Sequence, residues 1–265
     1  RYRPQGTPCA GPDRPRSGGI IFTGVGLGIA ASGTLVPLLL RLDLPWTWCG
    51  LGTLALALTV FAWNGWPRGD GPAATFEQPP PRAGTSLLAL YAEYGLNAVG
   101  LVPHMVFLVA YIAIGLGQGI EVGAVYWVLF GLGATVGPVL AGQLADRIGF
   151  ARALRLTLLI QTVALALAVL PLGVFGLAVS SIVIGAAVPG VVPLVLGRVH
   201  ELVPLEQSRT AWSFATTAFA IGQAGGAYGL SFVYARTDDY GLLFVLGASA
   251  ILLALLIDLA LGGRD

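Results

Sequence analysis

Lysine is absent: all fourteen basic residues among the 265 are arginine, which we read as genomic base composition rather than function. Charge of either sign is scarce, at 10% of positions, where soluble domains carry roughly 25%. Together with 56% hydrophobic residues and a mean hydropathy of +0.82, that scarcity excludes an ordinary soluble domain. The net charge of +1 offers nothing to a polyanion, so no nucleic-acid partner is expected. The two cysteines, Cys9 and Cys49, make neither a disulfide framework nor a metal site. No Ser/His/Asp arrangement, HExxH, CxxC or phosphate-binding loop appears, and the two histidines are His104 and the loop residue His200. No catalytic residue, metal or cofactor is therefore expected, and the chain reads as not an enzyme.

What is present is apolar length. Crossing a hydrocarbon core of about 30 Å takes roughly 20 apolar residues, and eight stretches qualify: 18–40, 46–66, 87–115, 121–145, 151–171, 173–198, 209–234 and 240–262. The 38 glycines and 17 prolines suit such helices, where small residues permit close approach and Pro kinks are tolerated. Residues 1–17 are Pro-, Gly- and Arg-rich without apolar period. They read as disordered, with a segment outside the native frame as the alternative. The apolar stretch that follows is too long for a signal peptide's core. Residues 67–85, with five prolines, read as a linker, so two helices precede it and six follow.

Arginine placement orients the chain. Arg1, Arg3, Arg14, Arg16, Arg68, Arg82, Arg147, Arg152, Arg155, Arg198, Arg209 and Arg264 fall on one side, against Arg41 and Arg236 on the other. Cytoplasmic loops carry the basic excess, which puts both termini in the cytoplasm and the chain in a plasma (inner) membrane. Trp46 and Trp48 at one end of the second span, with Trp63 and Trp66 at the other, read as interfacial anchors.

The third span carries a polar stripe. Glu93, Asn97, Gly100, His104 and Tyr111 fall within a narrow arc of one helical face. A charge at the membrane centre costs roughly 2.5–3.5 kcal/mol on insertion scales, so the stripe should face protein or water. Three roles fit it: a protonatable site at Glu93 or His104, contact with a solute, or structure alone, with Glu93 at the interface and His104 on a backbone carbonyl. Asn97 reads best as an interhelical hydrogen bonder. Pro103 predicts a kink between Glu93 and His104. The seventh span adds Ser213, Thr216 and Thr217, whose hydroxyls can bond their own i−4 carbonyls. It also adds Gln223, which either reaches a cavity or holds a neighbouring helix. Gly24, Gly26, Gly28 and Gly33 in the first span point to close packing, with no strand–turn–helix setting for dinucleotides. Gln161 and Asp258 read as peripheral, Asp258 reaching headgroups, and Tyr126 and Trp127 as anchors or, for Trp127, a solute-stacking group.

One loop is the most specific feature: Gly142-Gln143-Leu144-Ala145-Asp146-Arg147-Ile148-Gly149. It resembles the G-x-L-[AS]-D-R-x-G signature of the major facilitator superfamily, secondary transporters of twelve helices in two six-helix halves. There the signature lies between the second and third helices of a half. Two spans separate it from the linker here and four follow. The resemblance thus implies an all-α, polytopic membrane helical bundle of about eight transmembrane helices. These are a partial N-terminal half (18–66) and a complete six-helix C-terminal half (86–265), with four N-terminal helices absent. Tyr94 to His104, YGLNAVGLVPH, resembles the YbfB/YjiJ-type branch. Phe150-Ala151 departs from the basic pair expected after Gly149; Arg152 and Arg155 come later. In that family the loop latches one transport state, which nominates Gly142, Asp146, Arg147, Gly149 and Arg152, against the plainer role of marking the interface.

The resemblance implies a small-molecule solute moved by alternating access in a lipid bilayer, with proton coupling as one option. It also places the third span along the central cavity. Candidate solute or proton residues are Glu93, Asn97, His104, Tyr111, Trp127 and Gln223. The alternatives are a truncated remnant without transport, or a half-transporter or scaffold that needs a separately encoded N-terminal half.

Overall fold

The computed structural model describes residues 14–65 and 84–262. Eight long helices account for nearly all of them: α1 (Arg14–Leu40), α2 (Leu44–Ala62), α3 (Thr85–Gly115), α4 (Ile120–Ile148), α5 (Phe150–Val169), α6 (Gly173–Leu202), α7 (Leu205–Thr237) and α8 (Tyr240–Leu261). Each lies within a few residues of an expected span. Two boundaries move: Arg14 to Ser17, expected in the disordered tail, belong to α1, and Thr85, expected in the linker, opens α3. The rest of the tail, most of the linker and Trp66 lie outside the described residues. Trp46, Trp48 and Trp63 are exposed at the two ends of α2, as anchors would be.

Six of the eight helices, α2 to α6 and α8, are long and apolar enough to cross a membrane. Gly24–Leu40 of α1 is apolar as well, and α7 is long but falls short in hydropathy. Six of the eight expected spans thus meet this length and apolarity among the described residues. The physical reason in α7 is its polar content. Ser213, Thr216 and Thr217 donate back to Arg209, Trp212 and Ser213 carbonyls at 2.8–3.0 Å, which lowers the cost of those hydroxyls in lipid.

Short turns hold consecutive helices together. Gly149 joins α4 to α5 at φ 83°, a left-handed value that a side chain would strain. Asp239 caps α8 by accepting from the Leu242 N–H at 3.2 Å. The main interfaces are α4 on α6, α1 on α4, α3 on α7 and on α8, and α5 on α6 and on α8. Glycine makes the closest of these possible. A Cβ on Gly133 or Gly137 of α4 would strike the Ile182 or Ala186 carbonyl of α6, and one on Gly185 would strike the Phe130 carbonyl in return. Between α1 and α4, Gly26 meets the Thr135 backbone and Gly131 meets Ala30; between α3 and α7, Gly222 meets Gly95. In lipid, where apolar surface gains nothing by leaving the solvent, this backbone approach supplies the packing.

Candidate functional site

Helix α3 positions most of the candidate residues, and its backbone is irregular where they cluster. It is α-helical to Val102, runs through a π-helical turn at Pro103–Phe107, and has a second π turn at Tyr111–Gly115. Pro103 has no N–H to offer the preceding turn, so the expected irregularity takes the form of a widened turn.

The stripe on α3 faces the inside of the α3–α8 bundle. Glu93 and Asn97 are each 1% exposed and His104 is fully buried. Its neighbours come from α5, α6 and α8. Asn97 Nδ2 donates to Gln161 Oε1 of α5 at 2.8 Å. Ser180 of α6 donates its one hydroxyl proton to the Ala164 carbonyl at 2.6 Å. Its oxygen can therefore only accept from His104 Nε2, 2.8 Å away, and donor counting puts the imidazole proton on Nε2. His104 Nδ1 has no protein partner among the described residues, and the ring lies edge-on to Phe244 of α8, centroids 5.1 Å apart. Tyr111 donates to the Ala168 carbonyl at 3.1 Å and packs on Phe244.

Three sequence expectations change here. Glu93 does not sit at the interface; it is enclosed, within electrostatic reach of Asp258, Arg198 and Arg155. Gln161 is fully buried, not peripheral. Asp258 is 5% exposed and ion-paired with Arg155, so it does not reach headgroups. A lone amide in the apolar middle of α5 was the available signal for Gln161, since lipid offers it no partner. For Asp258 the signal was an acid seven residues short of the chain's end in an apolar helix.

A separate cavity of about 210 Å³ lies between α1, α3 and α4. Its walls include Ser32, Gly33 and Pro37 of α1, His104, Met105 and Val109 of α3, and Ala124 and Trp127 of α4. The lining is largely apolar. Trp127 Nε1 donates to Ser32 Oγ at 3.0 Å, while Ser32 donates to the Ile29 carbonyl at 2.7 Å. The indole stacks on Phe130, planes 3° apart. Gln223 of α7 reaches Met105 Sδ at 3.4 Å and so holds a cavity wall from behind. His104 is the residue common to cavity and buried stripe.

At the α4–α5 turn, Asp146, Arg147 and Arg152 are exposed, and none makes an ion pair among the described residues. Neither Gly142 nor Gly149 has an atom within 4 Å of where a Cβ would stand, so close packing does not require either glycine. Arg155 is committed to Asp258. Among the described residues no group of three His, Cys, Asp or Glu side chains is placed to hold a metal ion.

Residues 9–259 match the family model described as "Uncharacterised MFS-type transporter YbfB". The chain belongs to this family. It is accordingly a multi-pass membrane protein of the major facilitator class of transporters. Over 130 residues it is 36% identical to the inner membrane transport protein YdhP of Escherichia coli strain K12, a match covering 49% of this chain and 33% of that relative. The fold is similar to that of a bacterial homologue of the iron transporter ferroportin. For its inward-facing state the TM-score is 0.59 at 18% identity, covering 89% of this chain and 59% of that one. For the outward-facing state it is 0.53 at 17%, covering 94% and 65%. The chain thus spans a third of the curated relative and about three-fifths of the structural ones.

Proposed function

We propose that the chain acts in secondary active transport of a small organic solute, by alternating access and with coupling to a proton gradient. The observation that carries this reading is the cavity between α1, α3 and α4. Its walls come from both sides of residues 66–83, and rocking carriers bind their solute where two helical bundles meet. Its apolar lining, one indole and one hydroxyl suit a solute with an apolar body and few polar groups. At about 210 Å³ it is smaller than the roughly 300–1,000 Å³ of drug-sized sites. Residues 18–66 are read as the end of an N-terminal half and 86–265 as a C-terminal half. Both termini are read as cytoplasmic, and the Asp146–Arg147 turn as a latch that pairs in another transport state. A second reading, in which a separately encoded N-terminal half completes the carrier, is favoured by the outer face of α7, where Phe214, Ile221 and Tyr228 are exposed.

The test uses the chain in proteoliposomes loaded with a pH-sensitive dye and challenged with a panel of small amphipathic solutes. We expect at least one to drive a luminal pH change, lost in Trp127→Ala while the melting temperature stays near the parent's. Flux that appears only when a four-helix N-terminal half is co-reconstituted supports the second reading. A folded chain that moves no proton with any solute, with or without that half, overturns both.

A further inference from the structure

We infer that the groove between α5 and α8, on the outside of the bundle, is a site for one anionic phospholipid. Its phosphate lies on Arg152 and Arg155, and an acyl chain follows the leucines beyond them. Such a site requires only that the chain span a membrane, and is independent of any solute. The groove has a volume of about 350 Å³ and is lined by Arg152, Arg155, Leu156 and Leu159 of α5 and Leu255 and Leu259 of α8. It shares no residue with the cavity between α1, α3 and α4. The four α5 residues fall at three- and four-residue intervals and the two α8 leucines four apart, so each helix contributes one face. α5 begins at Phe150, which puts both arginines in its first two turns. Leu159 stands about 10 Å beyond Arg152 at 1.5 Å per residue. Half of a hydrocarbon core is about 15 Å, so the groove stays within one leaflet, the one whose phosphates stand at the α4–α5 turn.

A lone arginine at a helix end would simply reach for the interface. Here two guanidiniums line one groove, and both have donors to spare. Arg155 gives Nε to Asp258 Oδ2, which leaves its two Nη groups and their four N–H donors without a partner among the described residues. Arg152 is exposed and makes no ion pair among them. Asp258 offsets one of the two charges. Glu93, the other acid within reach of Arg155, is enclosed in the bundle and bonds to neither arginine. The lining therefore keeps one positive charge in surplus beside a set of planar N–H donors. A phosphodiester brings the complement, one negative charge shared by two oxygens that fit a guanidinium fork. A zwitterionic head group carries its own cation and has no net charge to give, so basic pockets of this kind favour anionic lipids. Leu156, Leu159 and Leu259 are exposed where the bilayer's hydrocarbon lies, and they give an acyl chain its wall. Leu255, 8% exposed, forms the floor.

The experiment is native mass spectrometry of the intact chain from mixed micelles holding phosphatidylglycerol or phosphatidylcholine, with thermal melting in the same micelles. We expect one phosphatidylglycerol to be retained over phosphatidylcholine by roughly fivefold, one arginine's share of the attraction to an anionic lipid, and to raise the melting temperature. Arg152→Ala should abolish the preference. Leu159→Trp, which fills the groove and leaves both charges, should lower retention of the lipid. Arg209→Ala, an exposed arginine of α7 outside the groove, should change neither. Glycerol phosphate, a head group without a chain, should not displace the lipid. Equal retention of the two lipids overturns the proposal, as does equal loss in Arg209→Ala and Arg152→Ala. Displacement by glycerol phosphate would make this a site for a free anion and overturns it too, and so does a dimer that excludes the lipid and dissociates in Leu159→Trp. Should Arg152→Ala fail to fold, Leu159→Trp and the comparison of the two lipids decide. None of these readings involves solute flux, so the lipid site and the transport reading fail separately.

Discussion

Helices α2 and α3 are both apolar enough to cross a bilayer, yet their positions in the molecule are opposite. Among the described residues α2 buries only Thr47, and its main contact is with α1. α3 buries most of its first eighteen residues and contacts α6, α7 and α8. Hydropathy does not separate them, because lipid is as good a solvent for leucine as a neighbouring helix is. What differs is the content of groups that lipid cannot satisfy. α3 carries Glu93, Asn97 and His104, each of which needs the bundle interior, whereas Thr53 and Thr59 of α2 are satisfied by their own carbonyls at 2.8 Å.

The strongest way to break this comparison is to add bulk at equivalent glycines. Gly100→Leu in α3 drives a side chain into Ile251 and the Gly247 carbonyl of α8 and should cost about 3 kcal/mol or more, seen as loss of monodisperse protein and a lower melting temperature. Gly52→Leu in α2, with open space around it, should leave both unchanged; equal damage from the two would refute the contrast. A smaller effect is expected from Asp258→Asn. It strands Arg155 against a buried face, and with Arg155 about one-third exposed the loss should be about 2 kcal/mol, below the 3–5 of a fully buried pair. The pair joins α5 to α8, so a melting temperature identical to the parent's would mean that it contributes nothing. Smallest is Phe61→Ala on α2, at 89% exposure: a change within about 0.5 kcal/mol, and a larger one would reveal a partner for that face.

Much of the fold was legible from periodicity and from punctuation. Pro103 predicted the disturbed turn, Gly149 the chain reversal and the apolar runs the eight helices, because each depends on local chemistry. The site was legible in part. A helical face fixes the direction in which Glu93, Asn97, His104 and Tyr111 point relative to one another. It does not fix which helix they meet, which is set by how α5, α6 and α8 stack against α3. In this structure Glu93, Asn97 and Tyr111 are buried in the bundle, while His104 also lines the cavity between α1, α3 and α4. The neighbours Gln161, Ser180 and Asp258 lie 64, 76 and 165 positions beyond Asn97, His104 and Glu93, a separation that no single-helix pattern spans. The Trp127–Ser32 contact, between segments 95 positions apart, was hidden for the same reason.

The two π turns of α3 give the helix slack. Each holds one residue more per turn than the α-helical repeat, so the stretch between Val102 and Leu116 is longer in sequence than the distance it covers. Tightening either turn to α-helix rotates everything beyond it and extends the helix without breaking the chain. Met105 and Val109 line the cavity between α1, α3 and α4 and His104 is shared with the buried stripe, so the same adjustment swings the cavity wall while Glu93, on the regular segment below, keeps its place. One helix can in this way act as both fixed post and moving shutter.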